Sequence, residues 1–399
     1  MHKQKTIIQL LNIKIMLQNR RIYLPPLSLI GPGALNDLGE ELKSLPYKKA
    51  LFVTDKILVQ IGVAEKVLKV MEASNIEVVV FDDVQPNPTV HNVESGLKLL
   101  EDNACDFILT LGGGSPQDCG KAIGILATNG GNIGDYEGFH MTKNASLPII
   151  AINTTAGTAS EVTINYVITD EVRHIKMVMV DKNCLVSIAV NDPELMLGKP
   201  AALTAATGMD ALTHAIETYV TKGAFGWSDA LALEAIKLIS QSLEMAVVNG
   251  QDLEARSKMA WGQFIAGQAF SNAGLGFVHS MAHQLGGMYD LPHGVANAIL
   301  LPHVEQFNIP ACAHKLKKVA RAMGVGVLEM SDTQGANAAI EAIKALSKSV
   351  GIPSGLKELG VKEEDFEEMA KNALADVCTG GNPREVTLDD AIAIYKAAM

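Results

Sequence analysis

The texture of the chain changes near residue 199. Before it, short apolar runs alternate with amphipathic stretches; after it, apolar residues recur at three-four spacing only. Residues 50–54, 77–81, 107–111 and 148–152 read as buried strands. Helical periodicity fills 59–71 and about 117–128, and Pro86-Asn87-Pro88-Thr89 reads as a turn that caps the helix after it. Segments 164–169 and 175–180 alternate with a period of two and read as an antiparallel pair. Beyond Pro200, segments 229–245, 253–269 and 337–349 are amphipathic helices, with no convincing strand among them. The expected fold is an α/β domain over 1–199, built on a parallel sheet, followed by an all-α domain over 200–399. In such a sheet a ligand sits in the crevice at the carboxyl ends of the strands.

The second half carries the densest chemistry. Four of the ten histidines lie between Gly274 and His303. His279 and His283 are four apart and share a helix face. His293 follows the Asp290-Leu291-Pro292 break, where a new helix can begin. Upstream, Asp210 and His214 are also four apart, in an alanine-rich stretch that reads as buried. An unpaired buried carboxylate is costly, so Asp210 needs a partner. One carboxylate and several imidazoles, without a thiolate, suit Fe(II) or Zn(II) in a catalytic role with a position left open.

The first half carries weaker signals, each with a plain structural alternative. Gly112-Gly113-Gly114-Ser115 follows a strand and opens a helix. It is either a tight turn or a phosphate cradle, and it is not the GxGxxG fingerprint. Asp55 ends a strand and is either a helix cap or a ribose acceptor. Thr154, Thr155 and Thr158 are loop caps or cofactor donors. Lys176 is a solvated edge lysine or reaches a nucleotide.

A formal net charge of −11 without basic runs argues against nucleic acid and anionic membranes. Five cysteines, without CxxC spacing, read as reduced thiols of a cytoplasmic protein. The apolar run 7–17 holds eleven residues and Lys14, too short to span a bilayer, and no small-residue cleavage site follows. Residues 1–15 therefore read as an extension before a start at Met16.

Taken together, Asp210-x-x-x-His214, His279-x-x-x-His283, His293, the GGGS at 112–115 and the TTAGT at 154–158 resemble the iron-containing alcohol dehydrogenases. The likeness runs from about residue 19 to 399 and implies the dehydroquinate synthase-like fold. It implies Asp210, His214, His279 and His293 as metal ligands, with Fe(II) preferred and Zn(II) the alternative. His283 becomes a non-ligand that contributes to proton transfer. Asp55, Asn87, Gly113, Gly114, Ser115, Thr154, Thr155, Thr158, Asn165, Lys176 and Leu195 become NAD contacts, and Phe270 and Cys378 lie near the substrate. Segments 163–170 and 376–385 are similar to the branch that interconverts lactaldehyde and 1,2-propanediol. The implied activity is NAD-linked interconversion of a small aldehyde and its alcohol, in a homodimer. A 1,3-propanediol or broad short-chain alcohol dehydrogenase is the alternative, and a non-catalytic nucleotide-binding protein a remoter one. Asn153 and Gln284 depart from the family, which has proline at both positions.

Overall fold

The computed structural model describes residues 19–173 and 175–399; the expected extension at 1–15 lies outside them. In chain order the strands are β1 (Leu27–Ile30), β2 (Lys49–Val53), β3 (Glu77–Phe81), β4 (Phe107–Gly112), β5 (Gly138–Phe139), β6 (Ile149–Asn153), β7 (Asn165–Asp170), β8 (Ile175–Val180) and β9 (Ile188–Asn191). The helices among them are α1 (Ala34–Leu42), α2 (Lys56–Gln60), α3 (Val63–Ala73), α4 (Val90–Asp102) and α5 (Gly114–Asn129). From Ala201 onward the described elements are helical: α6 (Ala201–Val220), α7 (Gly226–Val248), α8 (Leu253–Ala273), α9 (Phe277–Tyr289), α10 (His293–Ala322), α11 (Asp332–Ser349), α12 (Phe366–Ala375) and α13 (Leu388–Ala397).

Six strands form a parallel sheet in the order β1-β9-β6-β4-β2-β3. Its central strands are buried on both faces because successive residues feed two separate cores. Leu51, Val53, Ile108 and Ala151 pack on one side, while Phe52, Leu109, Ile150 and Ile152 pack on the other. Chain direction across the sheet reverses between β2 and β4, which opens a crevice at their carboxyl ends. The antiparallel pair β7–β8 lies in a separate small sheet with β5.

The structure corrects the sequence reading at several points. The helix read over 59–71 is two, α2 and α3, because Gly62 adopts a left-handed φ of 78° between them. Helix α5 begins at Gly114 rather than near 117, so Gly112 ends β4, Gly113 is the N-cap and Gly114 the first helical residue. Strands β1 and β9 are additions, each only four residues long. No helix among the described residues is long and apolar enough to cross a membrane.

Candidate metal centre and cofactor cleft

The helical half places its donors from three helices. Nearly every residue of α6 from Thr204 on is buried, and Asp210 and His214 face inward one turn apart. Helix α9 presents His279 and stops at Asp290, whose left-handed φ of 51° turns the chain. Pro292 then caps α10, which begins at His293. Gly294 lets α10 press onto α6: a Cβ there would lie 2.2 Å from the Ala206 carbonyl oxygen. The result is a cluster in which donor atoms of Asp210, His214, His279 and His293 all lie within 4.8 Å of one another.

Electrostatics keep this cluster short of protons. Burial pushes His279 well below the usual imidazole range, and the rings of His214 and His293 push it further. Burial likewise lowers His214 and His293, against the pull of Asp210. Nδ1 of His279 is hydrogen-bonded to Glu217 Oε2, which leaves Nε2 facing the cluster. Glu217 Oε1 also accepts from the Val278 amide at 2.7 Å, so one carboxylate holds both the ring and the start of its helix. The Asn297 amide donates to Asp210 Oδ1 at 2.7 Å and faces Nε2 of His293 at 3.0 Å and of His279 at 3.2 Å. One side-chain amide thus faces a carboxylate oxygen and two ring nitrogens, the atom types a cation site requires.

His283 stands beside the cluster rather than in it. Its Nδ1 lies 2.8 Å from Asp376 Oδ2, so Nε2 is the free edge. Burial opposes ionisation of Asp376, but the His283 ring and the Cys378 amide outweigh it and its pKa falls below the ordinary value. Phe270 is 5% exposed and stacks on His214 at 4.4 Å between ring centres. Phe270, Cys378, His283 and the four clustered donors all line one cavity of about 220 Å³.

The opposite wall of that cavity comes from the α/β half. Gly114, Ser115, Thr158, Asn87, Asn165 and Lys176 line it. The N-cap of α5, Gly113, has no side chain to cap the first turn, and Gly114 and Ser115 of that turn line the cavity. A Cβ on Gly113 would lie 2.8 Å from Thr155 Cγ2, and one on Gly114 3.0 Å from Thr158 Cγ2. The threonine loop therefore packs against the glycines, and side chains there would fill the cradle. Asn153 builds that loop: its Oδ1 accepts from the Thr155 amide at 3.0 Å and its Nδ2 donates to the Thr155 carbonyl at 2.7 Å. Lys176 is not a solvated edge residue. It donates to Asn87 Oδ1 at 2.8 Å, and burial lowers its pKa. Asn87 in turn donates to Asp290 at 2.9 Å, tying the α/β half to the turn between α9 and α10.

Some expected contacts sit outside the cavity. Asp55 caps α2 by accepting from the Leu58 amide at 2.9 Å, at the end of β2 beside the crevice. Gly113, Thr154 and Thr155 directly follow the ends of β4 and β6. Leu195 is 6% exposed and packs in the sheet core with Ile152 and Val190. The sequence reading assigns no site role to Glu217, Asn297 or Asp376. Glu217 completes an i, i+4, i+7 face with Asp210 and His214, and Asn297 is four residues beyond His293, so both carried a periodic signal. Asp376 had no local signal; only the fold brings it to His283.

Comparison with known proteins identifies the family and the fold. Residues 25–193 match the family described as iron-containing alcohol dehydrogenase, and residues 204–399 match its C-terminal region. The chain is 49% identical to the lactaldehyde reductase of Escherichia coli K12 over 95% of this chain and 99% of that protein. It is 47% identical to the NAD-dependent methanol dehydrogenase of Bacillus methanolicus over 94% of this chain and 99% of that protein. The crystal structure of a 1,3-propanediol oxidoreductase superposes with a TM-score of 0.94 at 48% identity, covering 96% of this chain and all of that one. The chain belongs to the iron-containing alcohol dehydrogenase family.

Proposed function

We propose that the protein interconverts a small aldehyde and its alcohol with NAD(H) and a divalent metal, Fe(II) in preference to Zn(II). The observation that carries this reading is the proton-poor cluster of Asp210, His214, His279 and His293 at one wall of a cavity whose other wall is the glycine–threonine cradle. The donor set is one carboxylate and three imidazoles without sulfur, which fits either ion; the family's character favours iron. The uncapped first turn of α5 and the bare Gly113 and Gly114 fit a pyrophosphate. Names borne by the relatives, which include a lactaldehyde reductase and an NAD-dependent methanol dehydrogenase, support the reaction class.

When bound, the cation would polarise the substrate oxygen and the dinucleotide would supply or accept hydride. The chain's own contributions follow from the geometry. Burial keeps the three imidazoles neutral, so their lone pairs are available. Glu217 and Asn297 hold His279 and Asp210 in orientation. Asp376 holds Nδ1 of His283, leaving Nε2 to exchange a proton with the substrate oxygen, directly or through water. Asp55 receives the adenosine ribose and its charge repels a 2′-phosphate. The Phe270 ring, stacked on His214, closes the cavity on an apolar side and limits chain length.

Asn165 adds a polar flank, since its Oδ1 is buried without a partner and the residue lines the cavity. This supports a short hydroxyaldehyde such as lactaldehyde or glycolaldehyde as substrate. Losing a hydrogen bond to its hydroxyl costs about 1–3 kcal/mol, or roughly ten- to a hundredfold in specificity. The test is anaerobic NADH oxidation across lactaldehyde, 3-hydroxypropanal, propanal and hexanal. Lactaldehyde should exceed propanal in kcat/KM, and both should far exceed hexanal; Phe270→Ala should relax the length limit. Equal efficiency with hexanal would remove the short-hydroxyaldehyde assignment and leave the reaction class standing.

A further inference from the structure

One helical turn beyond His279, a second donor set faces the same cavity. His283, Asp376 and Cys378 bring an imidazole nitrogen, a carboxylate oxygen and a thiol sulfur within 4.8 Å of one another. We infer that this triad is a second, inhibitory binding site for a thiophilic divalent cation such as Zn(II).

The triad is accessible and held in place. All three residues are partly exposed, and His283 and Cys378 line the cavity. Of the five cysteines, Cys378 alone is not buried. Asp376 is fixed at one oxygen: Oδ1 accepts from the Cys378 amide at 2.9 Å and from the Ser280 hydroxyl at 3.4 Å. Oδ2 is left facing His283. The short loop is pinned by Thr379, whose hydroxyl donates to the Ala373 carbonyl at 2.6 Å. A preset carboxylate, an imidazole and a thiol form a three-ligand zinc set with a fourth position open to water. The neighbouring cluster holds no sulfur, so the two sites differ in softness and can be told apart.

Binding has a defined proton balance. The Cys378 thiol releases its proton to solvent as Sγ becomes a ligand. Nδ1 of His283 gives up the proton it shares with Asp376 and offers its lone pair to the ion, while Nε2 takes up a proton from solvent, so the neutral ring carries its one proton on Nε2. An imidazole in that state cannot accept a proton at the edge that faces the substrate. The inhibitory consequence rests on the proposed role of His283; the binding does not.

Co(II) supplies a readout that only this site gives, because a thiolate ligand adds a charge-transfer absorption. Protein carrying one Co(II) per chain should lack that band, and further Co(II) should add a second ion together with the band. Cys378→Ser should lose the band and weaken the second ion by more than about a hundredfold, and Asp376→Asn should weaken it about tenfold. In parallel, Zn(II) added to iron-loaded enzyme should lower turnover by at least about a hundredfold with the iron retained. The Cys378→Ser enzyme, compared with its own uninhibited rate, should need far more Zn(II). Saturation at one Co(II) per chain without the band, or an equally tight second ion in Cys378→Ser, would overturn the site. A second ion with unchanged turnover would overturn its inhibitory character. An iron-loaded enzyme inactive before Zn(II) is added would count against the proposed function instead, with the Co(II) band still readable.

Discussion

The two walls of the cavity are built in opposite ways. The helical wall is made of side chains: Asp210, His214, His279 and His293 converge from three helices, each rigidly buried or backed by Glu217 and Asn297. The α/β wall depends on backbone at its glycine turn: Gly114, with Gly113 next to it, is valuable for what it lacks, and Thr155 and Thr158 for how closely they approach. A side-chain site fails when one donor is removed. A backbone cradle fails when an atom is added. Metal retention and dinucleotide affinity should therefore respond to different substitutions.

The largest effect should come from subtracting a donor. Asp210→Ala or His214→Ala should reduce bound metal to background and turnover by at least about a thousandfold, measured by metal analysis and anaerobic NADH oxidation. NAD affinity should stay close to that of the unaltered protein. Loss of NAD binding by the same substitutions would break the separation between the walls.

Adding one methyl group should do the reverse. Gly113→Ala places a Cβ 2.8 Å from Thr155 Cγ2, so the Thr155 side chain or its loop must shift. The NAD dissociation constant should rise about tenfold or more, with metal content unchanged. Calorimetry on the metal-loaded variant checks this, and an unchanged constant would show that the cradle does not hold the pyrophosphate.

These contrasts explain what was legible in the sequence. Spacing alone grouped Asp210 with His214 and His279 with His283, because helical period converts sequence distance into a shared face. It could not say which of the three later histidines are donors; that assignment came from resemblance, and the structure sets His283 apart by tying it to Asp376. The parallel sheet was visible because central strands buried on both faces read as continuous apolar runs. Strand β1, half-buried at the sheet edge, and β9, four residues long, were too short to stand out. Lys176 was ambiguous because its surroundings come from Asn87 and the α9–α10 turn, far away in sequence.

A smaller effect should separate charge from capping at Asp55. Asp55→Gly removes the carboxylate, and glycine at a helix N-cap costs only a few tenths of a kcal/mol, so the fold should survive. The preference for NADH over NADPH should narrow by about tenfold. An unaltered enzyme that uses both equally would remove Asp55 from this role.

The smallest effect is one of stability, behind the metal wall. Glu305 is fully buried, and burial pushes its pKa up to about 7 from an ordinary 4.5. Its neutral form is favoured in the folded state. Its stabilising contribution is complete below pH 4.5 and is lost as pH rises through about 7. The Tm of metal-free protein should fall across that window, and Glu305→Gln should flatten the fall by roughly a few degrees. Parallel profiles for the two proteins would show that Glu305 does not titrate there.

The central claim is that four residues hold the metal while His283 moves a proton. Bound iron and turnover, measured on one anaerobic preparation each of His293→Ala and His283→Ala, test it most directly. His293→Ala should lose both iron and activity. His283→Ala should keep its iron and lose about a hundredfold or more in kcat. Equal loss of iron from both variants would contradict the assignment of ligand and proton carrier.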